Sequence, residues 1–149
     1  MFWLLLFLLI GLLFIARFMA VPLFSPMPDN LGVINGQLAA CPGTPNCYTS
    51  STDEGGVAPI AYEMSVEDAR QRVLDIINGM ERSEVITADD TYIHAEFTSQ
   101  WWGFIDDTEF YFDDENKVIH FRSAARLGQS DMGVNQARIE SIVQQFRSE

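Results

Sequence analysis

The sequence predicts an α+β protein: an N-terminal transmembrane helix, then a small antiparallel sheet of four or five strands with two helices on one face. Three observations lead there. Residues 2–15 (FWLLLFLLIGLLFI) carry no charge and no polar side chain. From residue 65, apolar positions recur at helical spacing, then alternate over successive short runs, then return to helical spacing. Helix, run of strands and helix is the order of a fold whose helices segregate to one face of an antiparallel sheet. Once the hydrophobic segment is set aside, a chain of 149 residues has room for one domain and not two. The expected division is an anchor over 1–24, an extended Pro- and Gly-rich tether holding both cysteines over 25–56, and the α+β domain over 57–149.

In the anchor, Arg17 interrupts the apolar run, which then resumes to Phe24 apart from Pro22. About 20 apolar residues cross a hydrocarbon core. The 2–24 stretch is long enough if Arg17 lies near one interface and snorkels, which leaves Trp3 near the other. A cleaved signal peptide needs a basic n-region and small residues at the cut, but no Lys or Arg precedes Arg17 and Phe18-Met19-Ala20 is a poor site. Leu38-Ala39-Ala40-Cys41 has the form of a lipobox, yet Ser25 to Gln37 separate it from the hydrophobic run. A buried core helix fits poorly with so long an unbroken Leu/Phe run.

Orientation rests on the cysteines, because no basic residue lies between Arg17 and Arg70 for the positive-inside rule to count. Cys41 and Cys47, the only two, sit in CPGTPNC. A small disulfide ring, two reduced thiols and half of a metal site are all open. A metal would want two further soft ligands, and the chain offers only His94 and His120. The disulfide reading puts the domain in an oxidising compartment. The expectation is a single-pass protein of the inner (cytoplasmic) membrane with a periplasmic domain.

Within the domain, residues 57–64 form a candidate first strand, with Pro59 at its edge. Ser65 and Asp68 open a helix as a capping box would, and Asn78-Gly79 close it. Strands are expected at 83–87, at 91–99, and at 104–112 and 117–123 flanking the Asp113-Asp114-Glu115-Asn116 turn. Over 91–99, Tyr92, His94 and Glu96 fall on one face and Ile93, Ala95 and Phe97 on the other. A last helix over 132–147, capped by Asp131, carries Ile139, Ile142, Val143 and Phe146 on one stripe.

The net charge of −12 repels phosphates, so nucleic acid is excluded as a partner. Lys117 is the sole lysine beside eight arginines, three of which fall in RSAARLGQSDMGVNQAR, residues 122–138. A glycine-bearing loop entering a helix can bind an anion through converging N–H groups. Arg122, Ser123, Arg126, Ser130, Asp131, Asn135 and Arg138, with Asp106 and Asp107, are therefore the candidate ligand-binding set. Against this, the three arginines can pair with Asp106, Asp107 and Asp131 and pin the loop to the sheet. Adjacent on a strand, Asp106 and Asp107 point to opposite faces and cannot converge on one substrate. Trp101-Trp102 can serve as core, interface anchor, lid or headgroup contact. No catalytic set, P-loop or dinucleotide fingerprint is present, and neither a cofactor nor a metal is implied.

CPGTPNCYTS, GFIDDTEF and RSAARLGQSDMGVNQARIE, in that order and spacing, resemble the bacterial and plastid family known as domain of unknown function 1499, over roughly residues 36–147. The family's motifs match at Cys41, Pro42, Thr44, Pro45, Asn46 and Cys47, at Gly103, Phe104, Asp106 and Asp107, and at Arg122, Ser123, Arg126, Gly128, Ser130, Asp131, Gly133 and Asn135. The chain departs at Tyr48, where valine is usual, and at Ala125, where serine is common; the missing hydroxyl weakens a nucleophile at 125. The resemblance implies a membrane-associated protein and supplies no activity. The function expected is a non-catalytic accessory subunit, held in lipid by its N-terminal helix and packed on the extracytoplasmic side of a respiratory or photosynthetic membrane complex. The alternative is an extracytoplasmic enzyme or ligand-binding domain for a small anion.

Overall fold

The computed structural model describes residues 2–23, 25–50 and 57–148. Its elements are α1 (Phe2–Leu23), β1 (Cys47–Thr49), β2 (Ile60–Ala61), α2 (Val66–Gly79), β3 (Ser83–Ala88), β4 (Tyr92–Thr98), β5 (Ile105–Asp113), β6 (Val118–Ala125) and α3 (Val134–Ser148). The six strands form one sheet, ordered β1-β6-β5-β4-β3, with β2 also on β6. Every pairing is antiparallel. Alternation decides which face is dry. Ile93, Ala95, Phe97, Phe110, Phe112, Ile119 and Phe121 face α2 and α3, which contribute Val73, Ile77, Ile139, Ile142 and Phe146 to the same cluster. Each fully buried Phe or Ile contributes about 1.5–3 kcal/mol.

The helices begin where the chain supplies acceptors for their orphan N–H groups. Ser65 Oγ accepts from Asp68 N at 3.1 Å ahead of α2. Before α3, Asp131 accepts from the backbone N–H of Gly133 and of Asn135, both at 2.9 Å. The helix itself starts at Val134, two residues later than expected, because this carboxylate holds 132 and 133 in a turn.

The tether expected over 25–56 is corrected by the structure as far as it is described: residues 25–50 belong to the folded domain. Ser25 O accepts from Arg126 Nη1 at 3.3 Å, and Gly32 N–H donates to Glu109 at 2.8 Å. The segment reverses at Asn35-Gly36, where Ile34 and Gln37 exchange both backbone hydrogen bonds and φ is +54° and +75°, a type I′ turn. It then returns to β1, whose residues pair with Arg122, Ser123 and Ala124. The sheet therefore has six strands in place of four or five. Residues 51–56 of the expected tether lie outside the described residues. The strand expected over 57–64 shrinks to Ile60–Ala61.

α1 is helical over 22 residues, but its side chains are described only at 2–13, 15 and 16. Among the described residues, no helix is long and apolar enough to cross a membrane, so the spanning helix expected over 2–24 finds no support in the fold. The side chain of Arg17, expected to snorkel, lies outside the described residues. Trp3 is exposed.

Two truncations of the full chain in detergent should rank by burial. Phe110→Ala is expected to cost about 3–5 kcal/mol as a core cavity, and Ser65→Ala about 1 kcal/mol as a lost cap. Urea midpoints measure both, and an equal or reversed order would overturn this account of the core.

Candidate functional site

The three motifs meet at one end of the sheet. The β4–β5 hairpin loop is closed by Ser99 N–H to Phe104 O at 2.8 Å and Phe104 N–H to Ser99 Oγ at 2.9 Å. Gly103 sits there at φ +67°, which a side chain would strain. Beside it, Arg126 N–H donates to Ile105 O at 3.1 Å. The cysteine ring clasps the same place: Cys41 and Cys47 form a disulfide. Buried Asn46 donates from Nδ2 to Gly128 O at 2.8 Å, and its own carbonyl accepts from Ala125 N–H at 2.9 Å.

Asp106 and Asp107 point to opposite faces, as their adjacency requires, and each enters a different network. On the helix face, Arg138 Nη2 donates to Asp106 at 2.7 Å, and its guanidinium lies 4.4 Å from the Phe97 ring centre. Ser123 hydroxyl donates to Asn135 Oδ1 at 2.5 Å and accepts from Arg138 Nη1 at 3.1 Å. Since an amide oxygen only accepts, Ser123's proton is committed there, so Thr108 is the donor in the Thr108–Ser123 bond of 2.8 Å. Asn135 Nδ2 completes the chain to Asp131 at 2.7 Å. Ser123, Thr108 and Asn135 are fully buried, so their hydroxyl and amide groups lock α3 onto β5 and β6.

The opposite face holds the larger charge cluster. Glu109 is wholly buried: one carboxylate oxygen accepts from Gly32 N–H and Tyr92 O–H, at 2.8 and 2.7 Å, and the other from Arg122 Nη1 at 2.8 Å. Asp107 accepts from Arg126 Nε and Nη2, at 2.8 and 2.7 Å, and shares its Oδ1 with His94 Nε2 at 2.8 Å. Arg126 Nη2 also bonds Glu96. Three carboxylates thus face two guanidiniums, and N–H and O–H donors from Gly32, Tyr92 and His94 add to them. Burial alone would raise the Asp107 carboxyl, but the hydrogen bonds from Arg126 and His94 hold it below the usual carboxylate range. Bonding to Asp107 raises Arg126 despite its burial. Burial raises Asp106 in spite of Arg138, and burial together with its bond to Glu109 raises Tyr92.

The pairing expected for the arginines therefore holds for Arg126–Asp107 and Arg138–Asp106. It is corrected for Arg122, which pairs with Glu109, two positions along the same face of β5. Asp131 binds backbone and Asn135. A small anion would have to displace a carboxylate from each arginine. Grooves of about 600 and 560 Å³ are lined by other residues, among them Tyr48, Val143 and Arg147 in the first and Arg72 and Gln145 in the second. Ligand atoms of His94, Glu96 and Asp107 lie within 4.8 Å of one another, and there the Arg126 guanidinium already supplies the cationic partner. His94 is only 2% exposed, out of reach of a substrate in this conformation. Ser130 is exposed in the β6–α3 loop. Sequence reasoning missed Glu96, Glu109 and the 25–37 strap. The signals were the alternating ionisable residues of β4 and β5 and the Asn35-Gly36 turn.

Residues 37–146 match the family described as Protein of unknown function (DUF1499). The chain belongs to this family. No curated protein matches it. The matched region begins at the strap's return and ends within α3, so the clasp, the helix-face network and the sheet lie inside it, while Ser25 and Gly32 of the charge network precede it.

Glu109→Gln leaves Arg122 buried without its counter-charge and should destabilise the chain by about 3–5 kcal/mol, whereas Glu109→Leu with Arg122→Met should cost far less. Equal losses in urea unfolding would contradict a purely structural pair. For Asp107, a native carboxyl below its unfolded value near 3.9 gives stabilisation that is full above about pH 4 and disappears as pH falls through the native value. Asp106, raised by burial, has the opposite sign. The stability gap between the natural chain and Asp107→Asn should accordingly be wide at pH 7 and narrow in acid; a gap independent of pH would refute the assignment.

Proposed function

We propose that this protein is a membrane-anchored, non-catalytic accessory module on the extracytoplasmic side of a larger membrane complex. The observation that carries the reading is where the motif residues go. Arg122, Arg126, Arg138, Asp106, Asp107, Ser123 and Asn135 are all taken up in pairs between elements of the fold. They stiffen a scaffold, and the groups such a scaffold presents outward are loops and charged turns. Chemistry on a substrate needs a reactive group within hydrogen-bond reach of it, and the most suggestive candidate, His94, is buried and bonded to Asp107.

Two further features support the anchored, extracytoplasmic part. The apolar run of α1 is what a hydrocarbon core selects, and a disulfide such as Cys41–Cys47 persists in oxidising compartments. The surface left for a partner is acidic: Asp89 and Asp90 in the β3–β4 turn, and Asp114 and Glu115 in the β5–β6 turn, are all exposed.

Gentle detergent extraction followed by a native gel tests the reading. The chain should migrate in a band well above its own 16.8 kDa with co-purifying membrane proteins. Migration alone, at its own mass, would sink the accessory-subunit reading.

A further inference from the structure

We infer that the domain lies directly on the bilayer that holds α1, with the loops at one end of its sheet seated among the lipid headgroups. This rests on the anchored reading proposed above. Four connections share that end: the cysteine ring, the β4–β5 loop, the β6–α3 loop and the α2–β3 turn, whose Arg82 O accepts from Thr98 N–H at 3.0 Å. Of the ten exposed large apolar residues among the described ones outside α1, six cluster here: Trp101, Trp102, Phe104, Leu127, Met132 and Val134. Trp101 is 74% exposed and Met132 97%. A tandem of tryptophans at a hairpin tip suits a membrane–water interface, where an apolar ring with one N–H is favoured over either phase alone.

Chain connectivity supplies the second line. Two residue steps separate Leu23, the last residue of α1, from Ser25, which is buried and bonded to Arg126 at this same end. Two steps span at most roughly 7 Å. With residues 25–50 folded onto the sheet, no long tether remains to hold the domain away from the membrane. A spanning α1 therefore brings this end, and no other, to the headgroups.

Charge points the same way. The chain carries −12 overall, which would oppose contact with an anionic surface. The rim is poor in charge by contrast: residues 41–47 and 99–104 have no charged side chain, Glu81 pairs with Arg82 at 2.8 Å, the Arg126 guanidinium is taken by Asp107 and Glu96, and Asp131 is held by Asn135 and backbone N–H groups. The turns at the far end are acidic, with Asp89 and Asp90 in one and Asp114 and Glu115 exposed in the other. Such a domain orients with its apolar rim in the headgroups and its acidic end in water.

The test uses the full chain in phosphatidylcholine nanodiscs. Trp3→Phe leaves Trp101 and Trp102 as the only tryptophans. Lipids brominated near the headgroup should remove most of their emission, and aqueous acrylamide should quench severalfold less than in the detergent-free unfolded chain. A second variant, Trp3→Phe, Trp101→Phe, Trp102→Phe and Glu115→Trp, should show the reverse: quenching by acrylamide and none by bromolipid. Retention of the chain in alkali-washed vesicles, with loop tryptophans open to acrylamide, would overturn the docking and leave the anchor standing. Release of the chain by the alkaline wash would overturn both.

Discussion

Burying Glu109 and Arg122 on the sheet face away from the helices constrains everything around them. An ion pair taken out of water is costly unless every lone pair and proton finds a partner, and the sheet alone does not supply enough donors. Tyr92 reaches across from β4, but the remaining donor to Glu109 comes from Gly32 N–H, far away in sequence. The strap over residues 25–37 therefore supplies a donor that the sheet lacks, although Arg122 Nε stays buried without a hydrogen-bond partner among the described residues, and the network in turn fixes the strap. Arg126 extends the same logic, joining Asp107, Glu96 and the Ser25 carbonyl.

That dependence makes the sheet two-sided. One face is an ordinary apolar core, with Phe110, Phe112 and Phe121 under α2 and α3. The other is polar yet buried, so its specificity lies in hydrogen-bond geometry instead of volume. Neighbouring residues on β5 serve the two faces in turn, and Asp106 and Asp107 are the clearest instance. Arg138 takes one and Arg126 the other. The cysteine ring, the hairpin loop and the β6–α3 loop then meet at the end where both faces terminate. The family's motifs thus mark the positions that close one end of the fold.

This organisation also explains why the motifs carry no visible chemistry. Carboxylate, imidazole and hydroxyl groups at these positions suggest catalysis when read in a line. In the fold Asp106, Asp107, Ser123 and His94 are each bonded to another part of the chain, and the large exposed apolar groups at this end are indole, phenyl and thioether. The protein's outward character is split along its length: neutral and apolar where α1 joins, acidic at the opposite turns.

The sequence by itself determined the local features, because their signals are local. Both domain helices, their caps at Ser65 and Asp131, and the four long strands follow from spacing and turn chemistry within a few residues. The opposite facing of Asp106 and Asp107 follows from strand pleating, and the family from its three motifs. Only the tertiary structure decided the rest. β1 is three residues with no periodicity of its own, and its pairing with β6 spans more than 70 positions. Arg122 could choose among several acids, and the choice of Glu109 is set by register, which places the two residues opposite each other on β5 and β6. The strap reads as loop because Pro, Gly and Asn are frequent in it, and its seat exists only where Glu109 and Arg126, already paired, have hydrogen-bonding capacity left to fill. Alternation shows that ionisable residues of β4 and β5 share a face, but which of them pair is a long-range matter of register, so that part of the protein had to be seen folded.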